Sequence, residues 1–198
     1  KSIADALIIR TLTTILEELG FKDLIVDINS MGDKDTRAGF IKELVSYYKK
    51  HAEHLCKDCK ERIKTNPLRL LDCKQADCQP FKENAPSSLS HLSNDARSHF
   101  KEVLQYLEEM GIAYRINNSL VRGLDYYTRT VFEVVKVDVD ENGKEKEITI
   151  TGGGRYDALA KMMGSKKDVP AVGTGLGIER IMMFPECKSI PPRIMKTP

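Results

Sequence analysis

The apolar residues at the start of the chain recur at helical spacing and predict an amphipathic helix that ends at Gly20. Ser2 and Asp5 match the capping-box pattern of a helix start. The apolar face of this helix consists of Ile3, Leu7, Ile8, Leu12, Ile15, Leu16 and Leu19. Residues 24–28 then form a short and mostly apolar run, which predicts a strand.

Two further helices are indicated by the same periodicity. One follows a corner at residues 30–32, and its buried face is predicted to contain Phe40, Ile41, Leu44, Val45 and Tyr48. The other begins near Ser93 or Asn94 and ends at Gly111. Its apolar face consists of Phe100, Val103, Leu104, Leu107 and Met110.

The final third of the chain changes from helical to β-rich spacing. Residues 130–137 and 147–151 are rich in β-forming residues, and an Asn-Gly pair at residues 142–143 predicts a hairpin between them. Two helices over residues 155–163 and 176–184 follow, each just after glycines. Strands joined by a hairpin predict an antiparallel sheet, so the fold class is α+β with helices packed on one side.

In the middle of the chain the apolar residues do not recur at a regular spacing. Between residues 48 and 93, cysteines, charges and prolines interrupt the pattern, which indicates an inserted and mainly helical subdomain with loops. We therefore predict a first part of a core over residues 1–47, a helical insertion over residues 48–110 and the rest of the core over residues 111–198.

Composition is typical of a globular protein with a substantial core, since 41% of the 198 residues are hydrophobic and 30% are charged. A net charge of +2 gives no argument for nucleic-acid binding by itself. Lysines and arginines do crowd residues 49–74, where a solvated helical face and an RNA-contacting surface are both open interpretations. No apolar run approaches the roughly 20 residues of a membrane span, and no signal peptide is evident, so a cytoplasmic location is expected.

Three segments combine glycines with an arginine, at residues 122–127, 152–157 and 173–180. The guanidinium of Arg122 can hold a carboxylate or phosphate through two parallel hydrogen bonds, although a surface ion pair is the alternative. Tyr126 and Tyr127 are adjacent, so in an extended chain their rings would point to opposite faces. Simple core packing is the alternative explanation for this pair.

The glycine runs indicate close approach of a ligand to the backbone. Residues 152–154 are three successive glycines, and a helix beginning at Arg155 would offer its N-terminal amides to an anion; a flexible turn is the alternative. Gly173, Gly175 and Gly177 alternate along an extended segment, so they are predicted to clear a flat slot for a planar ring such as adenine. Arg180, in the first turn of the next helix, indicates a nearby phosphate.

Four of the five cysteines form a separate cluster in the sequence. Cys56 and Cys59 are separated by two residues, thirteen residues intervene, and Cys73 and Cys78 are separated by four. This spacing resembles that of a tetrahedral structural zinc site, with His54 as an alternative ligand. Free thiols in a reducing compartment are the competing interpretation.

In their order and spacing, the three glycine-arginine segments resemble the histidyl-tRNA synthetase family. Residues 120–128 and 152–159 resemble its two histidine-specific motifs, residues 173–183 its class II motif 3, and residues 65–72 its insertion region. The resemblance implies a class II synthetase-like antiparallel sheet flanked by helices. It also implies activation of L-histidine by ATP with Mg²⁺ to histidyl-adenylate, transfer to tRNA(His) at its acceptor stem, and a homodimer of the full-length protein.

The family resemblance also implies roles for individual residues. Arg122 corresponds to an arginine between the histidine carboxylate and the ATP α-phosphate, where it stabilises charge in place of a metal ion. Arg180 corresponds to an arginine that binds the γ-phosphate. The implied histidine-binding residues are Arg122, Tyr126, Tyr127, Gly152, Gly153 and Tyr156. The implied ATP-binding residues are Arg122, Gly173, Gly175, Gly177 and Arg180.

The chain departs from the family pattern at both ends. Motifs 1 and 2 would precede Lys1, and the anticodon-binding domain would follow Pro198, so we expect a partial catalytic domain with little or no activity alone. The alternatives are a non-catalytic relative, such as the regulatory subunit of ATP phosphoribosyltransferase or a histidine- or tRNA-sensing domain, and an RNA-binding zinc module.

Overall fold

The computed structural model describes residues 1–124, 126–139, 143 and 145–187. The helices within these ranges are α1 (Ser2–Glu18), α2 (Lys34–Lys50), α3 (Lys57–Thr65), α4 (Gln79–Glu83), α5 (Asn94–Glu109), α6 (Leu159–Met162) and α7 (Ile178–Met182). The strands are β1 (Leu24–Ser30), β2 (Tyr114–Ile116), β3 (Thr128–Val139), β4 (Glu145–Arg155) and β5 (Val172–Leu176). No described helix is both long enough and apolar enough to span a lipid bilayer.

The five described strands form one sheet in the order β2-β1-β3-β4-β5. Neighbouring strands from β1 to β5 pair antiparallel, which confirms the predicted α+β class. The edge strand β2 pairs parallel with β1, because the chain returns to the sheet through the α2-to-α5 connection. The predicted hairpin joins β3 to β4, where Gly143 has a φ of 76°; Asn142 lies outside the described residues.

The two faces of the sheet have different surroundings. Val26, Ile28, Phe132, Val134 and Ile150 face a core that also contains the buried residues of α1 and α5 and Ile181 of α7. The antiparallel register places Phe132 opposite Ile28 and Val134 opposite Val26, so their side chains share this face. The other face is more polar: it carries Asp27, Asn29 and Glu133 beside the buried Val131, and the candidate site lies on it.

A second core lies under α2 and extends into the insertion. Phe40, Leu44 and Tyr48 of α2 are buried there with the cysteines, and Leu120 and Val131 connect this core to the sheet. Ile41 and Val45, which were also predicted to be buried, pack partly exposed at its edge. The division at residues 47/48 and 110/111 stays a prediction; α5, which it assigns to the insertion, packs on α1.

The predicted capping box is wrong, because tertiary contacts take both side chains. The helix already begins at Ser2, whose hydroxyl donates to Glu102 on α5. Asp5 is completely buried and accepts hydrogen bonds from His99 and Arg155 instead of a backbone amide. A local pattern at a helix start was therefore overridden by two partners distant in sequence.

The predicted helix over residues 155–163 is also wrong at its start. β4 continues to Arg155, which pairs with Val172, and only Leu159–Met162 is helical. The backbone of Arg155 stays extended because it pairs with Val172 and Thr128 on the neighbouring strands, and its side chain lies in the core beside Asp5. No long helix N-terminus therefore follows the three glycines.

Candidate functional site

A cavity of about 360 Å³ lies on the polar face of the sheet. It brings together residues from all three glycine-arginine segments and from the middle of β3 and β4. Its lining consists of Arg122, Tyr127, Glu133, Thr149, Ile150, Thr151, Gly152, Gly175, Gly177 and Arg180. Asp125, in the first segment, lies outside the described residues.

Arg122 is held at the cavity by a carboxylate on the neighbouring strand. Its Nη1 donates to Glu133 Oε1 at 2.7 Å, and the hydroxyl of Thr149 donates to Glu133 Oε2 at 3.2 Å. The guanidinium also lies 5.7 Å from the centre of the Tyr127 ring. With 25% of its side chain exposed, Arg122 is fixed in orientation yet open to a ligand. Because a guanidinium has five N–H donors, it can keep Glu133 and bind a second anion.

The glycines make room for the side chains of the site. A Cβ at Gly152 would lie 2.8 Å from Arg122 Nη1, and one at Gly154 would lie 2.9 Å from a ring carbon of Tyr127. A Cβ at Gly173 would lie 2.6 Å from the Tyr156 hydroxyl. The close approach predicted for the glycine runs is therefore made, in this structure, by the chain's own arginine and tyrosines.

Tyr126, Tyr127 and Tyr156 form one aromatic cluster beside the cavity. The rings of Tyr126 and Tyr127 are 4.7 Å apart, and both approach the Tyr156 ring edge-on, at 5.9 and 6.3 Å. The prediction that the adjacent tyrosines point to opposite faces is wrong, because Tyr126 lies in a turn and not in an extended segment. Burial, followed by a hydrogen bond with Tyr127, raises the pKa of the Tyr126 hydroxyl.

Of the remaining predicted site residues, some line the cavity and others lie outside it. Gly175 and Gly177 line the cavity, and no atom lies within 4 Å of a Cβ built at Gly175. Gly173 does not clear an empty slot, because Tyr156 occupies that space. Arg180 is exposed at the rim, in the middle of the five-residue helix α7. Gly153 points to the opposite face, against Phe132 of the first core.

Replacing Gly153 with alanine is expected to destabilise the chain by about 1–3 kcal/mol. Its Cβ would lie 2.2 Å from the carbonyl oxygen of Gly173 and 2.8 Å from Thr174 Cα, both backbone atoms that cannot move aside independently. The matched control is Gly175→Ala, whose Cβ meets open space. Thermal unfolding should show a lower Tm for the first variant alone; equal Tm values for both variants would contradict the packing described for β4 and β5.

Glu133 and Thr149 were not found by sequence reasoning. The available signal was a single acidic residue inside an otherwise apolar stretch of β3, since Glu133 is preceded by Val131 and Phe132 and followed by two valines. A carboxylate at such a position needs a partner. The partner of Glu133 could not be identified from the pattern of apolar and polar residues along β3, because Arg122 reaches it from a loop.

A buried ionic network supports the site from behind the sheet. Asp5 accepts from His99 Nε2 at 2.8 Å and from Arg155 Nε at 3.2 Å, and Arg155 Nη1 donates to Asp157 at 2.9 Å. Asp157 also accepts from the Ala171 amide at 3.0 Å, just before β5. Burial alone would raise the pKa of Asp5, but the hydrogen bonds from His99 and Arg155 outweigh it and leave that pKa lowered. The network thus fixes both ends of the segment that contains Tyr156.

The four predicted metal ligands are brought together in the second core. The Sγ atoms of Cys56, Cys59, Cys73 and Cys78 all lie within 4.8 Å of one another, and those of Cys56 and Cys73 are 3.9 Å apart. Four sulfurs around a zinc ion at about 2.3 Å would be roughly 3.8 Å apart, so a contraction of less than about 1 Å completes a tetrahedron. His54 instead stacks on Phe81, with ring centres 6.0 Å apart.

The polarity around the sulfurs fits a metal-thiolate cluster. The Cys56 amide donates to the Cys78 sulfur at 3.4 Å, as backbone amides do to thiolates. Burial, reinforced by neighbouring thiols, raises the pKa of Cys59, whereas for Cys56 the hydrogen bonds from Cys59 and its neighbours outweigh burial and lower the pKa. Of the four cysteines, Cys56 is partly exposed and the other three are buried. Four sulfur ligands would complete the tetrahedral coordination of a zinc ion and leave no open position on it.

Comparison with known proteins gives consistent matches over nearly the whole chain. The sequence profile of the family described as Histidyl-tRNA synthetase matches residues 3–181. The Histidine--tRNA ligase of Halothermothrix orenii is 43% identical over 190 residues, which cover 94% of this chain and 43% of that protein. The chain therefore spans less than half the length of this curated relative.

Solved structures show the same relationship. Apo histidyl-tRNA synthetase from S. aureus matches with a TM-score of 0.69 at 30% identity, covering 92% of this chain and 43% of that one. A protein from Bacillus halodurans, described as an ATP phosphoribosyltransferase regulatory subunit/histidyl-tRNA synthetase, has a TM-score of 0.50 at 20% identity. It covers 90% of this chain and 48% of that one, and this match shows similarity of fold alone.

Proposed function

Since the chain belongs to the histidyl-tRNA synthetase family, we propose that it forms the part of a histidine--tRNA ligase that holds L-histidine beside ATP. The observation that carries this proposal is the cavity on the sheet, where Arg122, Tyr127 and Arg180 face one space. Two cations and an aromatic wall suit an amino acid whose carboxylate must approach a phosphate.

In the proposed reaction, Arg122 binds the carboxylate of histidine and the α-phosphate of ATP together. Attack of a carboxylate oxygen on the α-phosphorus releases pyrophosphate and gives histidyl-adenylate, from which the acyl group passes to tRNA(His). Arg122 stabilises the charge that grows on the α-phosphate. Its hydrogen bond to Glu133 orients the guanidinium before the reaction begins. Arg180 contributes charge for the γ-phosphate, and Mg²⁺ accompanies ATP as its counter-ion.

The tyrosine cluster is proposed to form the histidine pocket. Tyr126, Tyr127 and Tyr156 offer hydroxyls that can hydrogen-bond an imidazole and rings that exclude water around it. Gly152, which lines the cavity, would keep the backbone of β4 close to the amino acid; Gly153, whose missing side chain faces the first core, would contribute its backbone alone. A pocket that hydrogen-bonds its ligand rejects amino acids that leave these groups unpaired.

Histidine binding is tested by NMR titration of the isotope-labelled chain. L-Histidine is expected to shift the amide signals of Arg122, Tyr127 and Gly152, whereas L-alanine at the same concentration leaves them unchanged. Adding a non-hydrolysable ATP analogue should then shift Gly175 and Gly177. Shifts with histidine but none with the ATP analogue would favour the non-catalytic sensing alternative; identical responses to histidine and alanine would contradict the proposal.

The cysteine cluster is proposed to bind one structural zinc ion through Cys56, Cys59, Cys73 and Cys78. When bound, the ion would neutralise the thiolates and cross-link α3 to the segment before α4. Residues 51–93 contain only short helices around a small core, so a metal cross-link would supply stability there that packing alone does not.

Three broader features of the family are proposed for the protein that contains this chain. The cations of residues 49–74 would approach the acceptor stem of tRNA(His), the full-length protein would be a homodimer, and its location would be cytoplasmic. The exposed lysines of α3 support the first of these, because they are available to phosphates.

A further inference from the structure

Tyr48 carries a buried hydroxyl for which the described residues provide no hydrogen-bond partner. The residue lies near the end of α2 and is 1% exposed, and its hydroxyl oxygen makes no hydrogen bond there. A buried tyrosine normally pairs its hydroxyl, since leaving it unpaired costs stability. An apolar phenylalanine would fill the same space without that cost, so the hydroxyl calls for an explanation.

The surroundings of Tyr48 offer one class of acceptor. Its other neighbours in the second core include Phe40, Leu44, Leu55 and Ile63, which have no polar side-chain atoms. The Tyr47 ring packs edge-on at 5.3 Å. By contrast, Cys59, Cys73 and Cys78 are buried in the same core as Tyr48, and each carries a sulfur that can accept a hydrogen bond. Three of the four candidate zinc ligands therefore share this core with the unpaired hydroxyl.

The acceptor strength of a sulfur depends on its protonation state. A neutral thiol is a weak acceptor, whereas a thiolate bound to a metal keeps negative charge and accepts hydrogen bonds well. Residues that donate to metal ligands orient them and strengthen metal binding. The Tyr48 hydroxyl has no partner among the described residues, and it would gain strong acceptors within its own core once metal binding draws the cysteine sulfurs together as thiolates.

We propose that the Tyr48 hydroxyl donates a hydrogen bond to a cysteine thiolate of the metal-bound cluster, and so acts as a positioning residue for metal binding. This inference rests on the proposed zinc site. It adds a contact between α2 and the insertion, because Tyr48 belongs to the helix while the thiolates belong to the segments that follow it.

The test compares Tyr48→Phe with the matched control Tyr47→Phe, which removes a hydroxyl from the adjacent and less buried residue. Each variant is titrated with Co²⁺ alone, whose thiolate charge-transfer and ligand-field bands report tetrahedral binding. Tyr48→Phe is expected to bind Co²⁺ roughly 10- to 100-fold more weakly than the wild type, whereas Tyr47→Phe binds as the wild type does.

A second readout separates hydrogen bonding from packing. Without metal, Tyr48→Phe should be at least as stable as the wild type, because the hydroxyl then has no thiolate partner to lose; with metal, it should be less stable. Equal Co²⁺ affinity of Tyr48→Phe and wild type would overturn the role of Tyr48 while leaving the metal site intact. A wild-type chain that binds no Co²⁺ would instead overturn the zinc proposal, and this inference with it.

Discussion

Alanine in place of Asp5 is expected to destabilise the folded chain by about 3 kcal/mol, near the lower end of what breaking a buried ion pair costs. Arg155 would remain in the core with 3% of its surface exposed, and of its carboxylate partners it would keep Asp157, which lies nearer to solvent, beside a hydrogen bond to the Lys1 carbonyl. His99 would lose the same carboxylate. Because the network also fixes the segment containing Tyr156, the aromatic cluster should loosen as well.

The matched control for this change is Glu17→Ala on the same helix. Glu17 pairs with Arg10 at 4.0 Å, and both side chains are about half exposed, so its loss should cost less than about 1 kcal/mol. Urea denaturation of both variants measures the difference in the free energy of unfolding. Similar values for the two variants would mean that the buried network is not a principal source of stability.

The same network predicts a pH dependence. The pKa of Asp5 is lowered in the folded state, so its contribution to stability is complete above the unfolded carboxyl pKa, near 4. That contribution is lost as the pH falls through the folded pKa, because the unfolded chain then binds the proton more readily. The stability difference between wild type and Asp5→Ala should therefore shrink on acidification below about pH 4; a difference that is constant with pH would contradict it.

Serine in place of Cys73 is expected to abolish metal binding and to unfold the second core. Structural zinc contributes roughly 10–16 kcal/mol in zinc-finger peptides, so its loss exceeds what a small core of short helices can offset. Hydrogen exchange should show lost protection in α3 and around Leu70, while α1 and the β3–β4 pair stay protected.

The control is Cys187→Ser, because Cys187 packs at the edge of the first core and lies outside the cluster. Elemental analysis of protein purified without chelator should give about one zinc ion per chain for wild type and Cys187→Ser, and none for Cys73→Ser. A wild-type chain that is metal-free yet has a fully protected second core would refute the metal site.

Those parts of the fold that depend on nearby residues were predictable from the sequence. The hairpin and the buried faces of α2 and α5 follow from turn chemistry and periodicity, and the structure confirms them. The glycine-arginine segments also meet at one cavity, although spacing alone could not show that Arg122 is held by Glu133.

The wrong predictions share a physical cause, which is competition from distant partners. Asp5 looks like a helix cap and Arg155 like a helix start, yet the two side chains meet across the core and decide the local backbone. The assignment of Gly153 to the histidine site stays a prediction; Gly153 follows Gly152 in the sequence but faces the opposite side of β4, since successive strand residues alternate. That the Tyr48 hydroxyl is buried without a hydrogen-bond partner, in the same core as the cysteines, is likewise evident only from the fold.

Whether Arg122 binds the carboxylate of histidine is tested most directly by comparing L-histidine with L-histidinol, which lacks that carboxylate, in the wild-type chain and in Arg122→Gln. NMR titration followed at Tyr127 should show histidine binding about tenfold more tightly than histidinol to the wild type, as expected for a hydrogen bond to a charged group. In Arg122→Gln the two ligands should bind alike. If histidine keeps the same advantage in Arg122→Gln, or if neither ligand shifts Tyr127 in the wild type, the assignment of this cavity to histidine is contradicted.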